Sequence, residues 1–366
     1  MKAFLFILFT LFATSCSTTK WYKGNTQAHT ILCGNADSSP EAVTKWYHDH
    51  GYNFLILSEH NIFIDPAKVR MPNALRDDFI LIPGQEVTGV RDVHTTAMNI
   101  KGLVQWEDLS KPRSKIIQNQ VDRIEKQGGI AILNHPNYKN ALSPKDMLTV
   151  KNLYMFEIFN NSWRERDFSE YHEDHPSEEV WWDRLLSAGM IVYGLGSDDA
   201  HDFKEYDFKK SNPGRGWVMV QADRLEADSI TRAMFHGDFY TSTGVYLKEY
   251  TVLRDKIIVS ANAKETITEL AKPIVRKGKP APSQKLGFKI ELIGNKGKLL
   301  DSVNSTWAEF DLRKLPKNPY YRVKISYVQD HPKRGKEAYF AWCQPIFKDG
   351  REKKIQVIQH DYLHKH

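Results

Sequence analysis

Cysteine is scarce in this sequence, three in 366 residues (Cys16, Cys33 and Cys343), which excludes the disulfide framework of small secreted domains. Long apolar runs are missing beyond the first residues, and a mean hydropathy of −0.52 leaves no room for a multi-span membrane protein. Neither sign of charge dominates: 51 Lys and Arg stand against 45 Asp and Glu, a net charge of +6. The excess leans toward Lys264, Lys272, Arg276, Lys277, Lys279 and Lys285, in loops between strand-like runs. A nucleic-acid groove would interleave such charges with aromatics, so this is a solvated surface and no nucleic acid is expected. Nor does a glycine-rich phosphate loop follow the first strand-like segment, which leaves a nucleotide fold little support.

What is present begins at the N-terminus. Lys2 gives a positive start, Ala3 to Ala13 is an almost unbroken apolar run, and Ala13-Thr14-Ser15 places small residues before Cys16. That is the pattern of a secretory signal with a lipoprotein cleavage site, so residues 1–16 are expected to be a signal peptide ending at a lipidated Cys16. Acyl chains on that residue would be the protein's contact with a membrane, and the body would work outside the cytoplasm, in the periplasm or at the cell surface. The simpler alternative is an ordinary cleaved secretory peptide with an incidental cysteine.

From Trp21 onward, short β-branched or apolar runs alternate with amphipathic stretches. Strands are expected at Thr26–Leu32, Asn53–Ser58, Phe79–Pro83, His94–Ile100, Ile130–Asn134, Tyr154–Phe159, Ile191–Leu195 and Trp217–Gln221. Helices are expected at Pro40–His50, Lys115–Gln127, Ser177–Ala188 and Ala227–His236. Ser39 and Pro40 supply a helix start, and Gly128, Gly189 and Gly237 supply stops. Such alternation argues for parallel strands with crossover helices, in a barrel or an open doubly wound sheet. After about Val245 strand-like runs dominate with no convincing helix, which predicts a second, antiparallel β-sandwich-like domain over 245–366.

The chemistry lies in where His, Asp and Glu fall. His29 is in the first strand, and His60 follows the second. Glu86 follows the third, and His94 opens the next. His135 follows Ile130–Asn134, and Asp198, Asp199 and His201 follow Val192–Leu195. Singly, each has an ordinary explanation as a hydrogen-bonded or capping residue. Their recurrence at strand ends is what argues for a site, because strand C-termini of a parallel barrel open on one face. Neutral imidazoles with a shared carboxylate suit Zn, Mn or Fe better than a purely hard cation.

These residues carry a resemblance. Gln27-Ala28-His29-Thr30, Ser58-Glu59-His60-Asn61, Gly84-Gln85-Glu86, His94, Asn134-His135-Pro136 and Ser197-Asp198-Asp199-Ala200-His201 together resemble the PHP (polymerase and histidinol phosphatase) domain family. The likeness is to an extracytoplasmic metallohydrolase branch with an appended β domain, and it spans roughly Trp21 to Gly244. Ala341-Trp342-Cys343-Gln344-Pro345-Ile346-Phe347 is similar to that branch's C-terminal domain. The resemblance implies a distorted (β/α)7 TIM-like barrel over 21–244. In it Glu86 would bridge two metals, one also taking His29 and Asp199, the second His94 and His135, with a third on His60 and His201. It further implies a metal-dependent hydrolase, a phosphoesterase before other esterases, acting through metal-activated water on a small anionic or ester substrate.

Two departures bear on metal number. The family's opening motif has two histidines flanking one residue, and Gln27 stands at the first. The following loop commonly supplies another histidine, and Asn35 stands there. The Glu86–His94–His135 position keeps its full set, while the other two each lose an imidazole, so one complete site and up to three in all are expected. Those losses also motivate the rival reading, a degenerate lipoprotein that binds a ligand without turnover. Arg215 follows the last motif and is either an anion-steadying group beside the catalytic Glu86 and Asp199 or a turn residue. His172 and His175 lie in a polar loop, Asn160 to Glu178, long enough to overhang a site.

Overall fold

The computed structural model describes residues 19–72, 75, 77–89, 92–107, 111–162 and 176–351. The segment with Cys16, and His172 and His175, lie outside the described residues. The N-terminal part runs β1 (Lys20–Ala28), α1 (Pro40–Asp49), β2 (Phe54–Leu57), β3 (Ile80–Leu81), β4 (Gly84–Thr88), β5 (His94–Met98), α2 (Arg113–Lys126), β6 (Ile130–Leu133), α3 (Pro144–Met147), β7 (Met155–Asn160), α4 (Glu178–Ser187), β8 (Tyr193–Ser197), β9 (Trp217–Ala222), α5 (Ala227–His236) and β10 (Phe239–Ser242). It continues through β11 (Leu247–Val252), β12 (Lys256–Ala261), α6 (Ala263–Leu270), β13 (Lys279–Pro280), β14 (Gly287–Gly294), β15 (Lys298–Val303), β16 (Trp307–Asp311), β17 (Tyr320–His331), β18 (Gly335–Cys343) and β19 (Ile346–Phe347). Among the described residues no helix is long and apolar enough to cross a membrane.

The helices form where the sequence supplies both ends. The Ser39 hydroxyl accepts from Ala42 N–H at 3.3 Å with Pro40 in the first turn. Helix α2 buries Ile116, Ile117, Val121 and Ile124 along one face. Gly237 ends α5 at φ +80°, a left-handed cap that glycine adopts without a Cβ penalty. Trp181, Trp182, Leu185 and Leu186 of α4 are core packing.

The architecture is mixed α/β, with large sheets, few helices and no closed barrel. One sheet pairs β1 with β2 and β2 with β3 in parallel, and β1 with β9 and β9 with β10 antiparallel. A separate five-stranded sheet has the order β4-β5-β6-β7-β8. Within it β4, β5 and β6 are antiparallel neighbours, and only β6, β7 and β8 run parallel. The two sheets meet through isolated bridges, Ala28 to Ala200 and His60 to Glu86, rather than a continuous ladder. Among the described residues the sheets do not close, so the expected TIM-like barrel is not confirmed and two apposed sheets stand in its place. The cause is the hairpin β4–β5, where antiparallel pairing replaces a crossover helix. Gly84 permits the close approach there, since a Cβ would lie 2.4 Å from Ile56 Cγ2 and 2.8 Å from the Ala97 carbonyl.

The sheet does not stop near residue 245. Strand β10 pairs antiparallel with β18, which continues through β17, β14 and β15. The three-stranded sheet β11-β12-β16 packs on this region, with Ile257, Val259, Ala308 and Phe310 sharing a core with Ile290, Leu292, Val323 and Ile325. That core also holds Leu55, Trp217 and Tyr240 from the N-terminal part. Helix α6 is an element that the sequence pattern did not announce; Asn262 caps it, its side chain accepting from Glu265 N–H at 3.1 Å.

Candidate metal centre

Glu86 is the middle residue of β4, fully buried, and its two oxygens are ringed by imidazoles. Oε2 lies 2.8 Å from His60 Nδ1 and 3.6 Å from His29 Nε2. Oε1 lies 3.2 Å from His94 Nδ1 and 3.4 Å from His135 Nε2. His29, one residue past β1, sets Nε2 3.2 Å from Asp199 Oδ1. The His201 ring stacks on His29 at 4.2 Å between centroids. The structure thus brings His29, His60, Glu86, His94, His135, Asp199 and His201 into one neighbourhood, each from a different strand end or hairpin apart from the Asp199–His201 pair.

Six of these residues fall into two inner groups of three. Glu86, His94 and His135 place ligand atoms within 4.8 Å of one another, and so do His29, Asp199 and His201. A third group joins His60 to His29 and Cys33 rather than to His201. The His60 and His201 rings are 6.1 Å apart.

The fit to a cation rests on atoms that face a common volume without satisfying one another. His29 Nε2, Glu86 Oε2 and His94 Nδ1 are buried and make no hydrogen bond of acceptable angle, although opposite partners stand at ion-pair distance. Leaving such groups unpaired costs about 1–3 kcal/mol each. A donor set of imidazoles around a shared carboxylate suits Zn, Mn or Fe. The backbone carries strain at the same place: His135 has φ +25° and Asp199 φ +47°, both in the left-handed region that favours glycine. Strain of this kind costs of order 1–3 kcal/mol per residue and collects at functional sites.

Electrostatics follow from burial. Burial opposes ionisation of Glu86, but His135, His60 and His94 around it hold the carboxyl well below the usual range. Asp199 is also held low against its burial, by the His29 imidazole beside it and the charge of His201. Burial pulls His29 down to about 4, with His201 adding to the effect, so it stays neutral and ligand-ready in mild acid. His60 moves the other way: burial lowers it, and the Glu86 carboxylate outweighs that and raises it.

Behind the ligands lies a layer that motif reading missed. Glu157, buried on β7, accepts from His135 N–H at 2.7 Å, Asn160 Nδ2 at 2.9 Å and Ser197 Oγ at 2.5 Å. Burial pushes its carboxyl up to about 7. A buried glutamate mid-strand in an otherwise apolar run, Met155-Phe156-Glu157-Ile158-Phe159, was the available signal. Gln27 is part of the same layer. Its Nε2 donates to Glu86 Oε1 at 3.3 Å, and its Oε1 accepts from Asn160 and Ser197, both at 3.3 Å. Asn134 Nδ2 donates to Glu86 Oε1 at 3.0 Å.

Three other residues belong to the scaffold. Asp198 accepts from Asn25, Tyr47 and the N–H groups of Gly214, Arg215 and Gly216 at 2.7–3.0 Å, so its carboxylate ties β1, α1 and the 214–216 turn together. Arg215 is 2% exposed, and its guanidinium donates to the carbonyls of Val275, Lys210 and Asp207 and to Asn212 Oδ1. That is the geometry of a loop-holding residue, not of one presented to an anion. Asp37 is likewise engaged, accepting from the N–H groups of Phe203 and Lys204.

No family model and no curated protein matches the chain. Two solved structures are similar in arrangement. The first is a two-domain protein containing a predicted PHP-like metal-dependent phosphoesterase from Bacteroides vulgatus, at 14% identity and a TM-score of 0.46, covering 87% of this chain and 95% of that one. The second is the lesion-specific endonuclease EndoQ from Pyrococcus furiosus, at 13% identity and a TM-score of 0.36, covering 58% of this chain and 55% of that one.

Proposed function

We propose that the protein is a metal-dependent hydrolase of the PHP type, a phosphoesterase, tethered through a lipidated Cys16 and acting outside the cytoplasm. The observation that carries the reading is Glu86, a fully buried carboxylate with His60, His94, His135 and His29 around its two oxygens. Glu86 with His94 and His135 would hold one divalent ion, and His29 with Asp199 and His201 a second. When bound, such ions lower the pKa of coordinated water and polarise the oxygen of a phosphoester or other ester.

The chain's own residues supply the rest. Glu86 brings its negative charge between the two groups, so cations can share it at short separation. Burial keeps His29 neutral, and a neutral imidazole is the form that ligates. Glu157 fixes the His135 backbone and the Ser197 hydroxyl, so ligands stay oriented when substrate arrives. Arg215 stabilises the 207–215 loop that follows Asp199 and His201.

The test is hydrolysis of p-nitrophenyl phosphate and bis-p-nitrophenyl phosphate by protein loaded with Mn, Zn or Fe. Turnover that is abolished in Glu86→Ala supports the reading. Flat traces with metal bound would favour a second reading, a binder without turnover. The observation favouring that rival is Gln27, whose amide N–H points at the Glu86 oxygen where the family's imidazole would stand.

A further inference from the structure

Beyond the two inner groups, the rim of the centre holds a thiol that neither the motif pattern nor the resemblance assigns. Cys33 closes a 3-10 turn, Ile31–Cys33, directly after His29, and it is partly exposed. Its sulfur lies 2.8 Å from Asn35 Oδ1 and 3.8 Å from His29 Nδ1. Asn35 Nδ2 in turn lies 3.1 Å from His60 Nε2. The Asn35 carboxamide therefore bridges the thiol and the imidazole, and Cys33, His29 and His60 place ligand atoms within 4.8 Å of one another.

The tautomer of His60 decides which way its lone pair points. Nδ1 sits 2.7 Å from Thr88 Oγ1 and 2.8 Å from an oxygen of the Glu86 carboxylate. On the other side of the ring the Asn35 carboxamide nitrogen, which can only donate, faces Nε2, so Nε2 accepts and the hydrogen sits on Nδ1, toward Thr88 Oγ1. The lone pair of the neutral ring is then on Nε2, which faces Asn35 and Cys33 and not Glu86. His60 is thus held by Thr88 through Nδ1 and offers a ligand atom to the rim through Nε2.

We propose that Cys33 and His60 are the ligands of a separate rim site for a thiophilic divalent cation, completed by the carboxamide oxygen of Asn35 once that amide turns. The inference rests on the metal-centre reading and gives its outermost position a nitrogen–sulfur set in place of imidazoles. Zinc at its usual bond lengths needs sulfur and nitrogen about 3.6 Å apart, a modest closure for side chains on a short exposed turn. On binding, the S–H bond breaks, a sulfur–metal bond forms, and the proton leaves to solvent. His29 Nδ1–H would then point toward a thiolate, leaving the Nε2 lone pair of His29 free for the inner ion that it would share with Asp199.

Cobalt(II) added to the metal-free full chain tests this, with bound metal counted by mass spectrometry and the near-ultraviolet sulfur-to-cobalt charge-transfer band recorded. The wild type is expected to show the band. Cys33→Ser is expected to lose it together with one cobalt per chain, and to keep the cobalt of the Glu86 group. Cobalt bound to the wild type without a thiolate band would overturn the rim site alone; no cobalt bound at all would overturn the metal centre with it. A wild-type measurement independent of folding of the variant is alkylation of Cys33, followed by peptide mapping. Zinc is expected to slow it at least about tenfold, and an unchanged rate would contradict the proposal.

Discussion

At the scale of single residues, the centre combines strong ligands with a supporting layer, and the two make different predictions. Replacing Glu157 by Gln keeps the shape but removes the charge that orients the His135 backbone and Ser197. Metal affinity is expected to fall roughly 10–100-fold, measured by competition with a chromogenic chelator. Gln27→His restores a second imidazole, so metal content after reconstitution is expected to rise; an unchanged content would show that position 27 does not reach the cations. The pH dependence has a clear sign. His60 is raised and His29 lowered to about 4, so as pH falls through the histidine range His60 takes up its proton first, while His29 stays neutral. Metal uptake that relies on His60 is therefore expected to weaken before uptake that relies on His29, read from binding isotherms between pH 5 and 8.

At the scale of elements, helix α4 is locked onto β17 by charge. Arg322, 1% exposed, pairs with Asp183 at 2.6 Å and Glu179 at 3.2 Å, and Lys324 pairs with Glu179 at 2.6 Å. Removing Asp183 leaves the buried Arg322 guanidinium with Glu179 alone, so Asp183→Ala is expected to cost about 3 kcal/mol in urea unfolding. Glu178, at the start of the same helix, is buried and pushed up to about 7. Its folded value lies above the ordinary carboxyl value, so its contribution is full below about 4.5 and is lost as pH rises through about 7. Glu178→Gln is expected to flatten the melting temperature across that window, and an unchanged slope would count against the assignment. Elements were legible where the chain signals an end: α1 starts at its Ser39 cap, and α2, α4 and α5 stop at or just before Gly128, Gly189 and Gly237. Strand β4 was not, because Gly84-Gln85-Glu86-Val87-Thr88 is short and carries two polar residues turned inward to the site. Helix α6 was missed because eight residues with Lys, Glu and Thr show little apolar face.

At the scale of the whole molecule, the clustered residues other than Glu86 could be picked out because they fall at strand ends or loops, and strand ends can be read from apolar runs. The pairing of strands was not legible, since runs of four to six buried residues look alike in parallel and antiparallel sheets. The same limit hid the continuity of the sheet from β10 into β18. The Gln344 side chain bonds the backbone of Gly194 at both its atoms, and the Arg351 guanidinium reaches the carbonyls of Leu186 and Met190. Ending the chain at residue 244 would open an edge at β10 and uncover Phe159 and Tyr240, so that fragment is expected to aggregate or bind a hydrophobic dye rather than fold alone. The proposed activity depends on a cation at the buried carboxylate and its imidazoles. Anomalous scattering from crystals soaked in zinc or manganese tests that most directly. The account predicts a peak between Glu86, His94 and His135, with a second beside His29 and Asp199; protein saturated with metal yet showing no peak within bonding distance of Glu86 would contradict it.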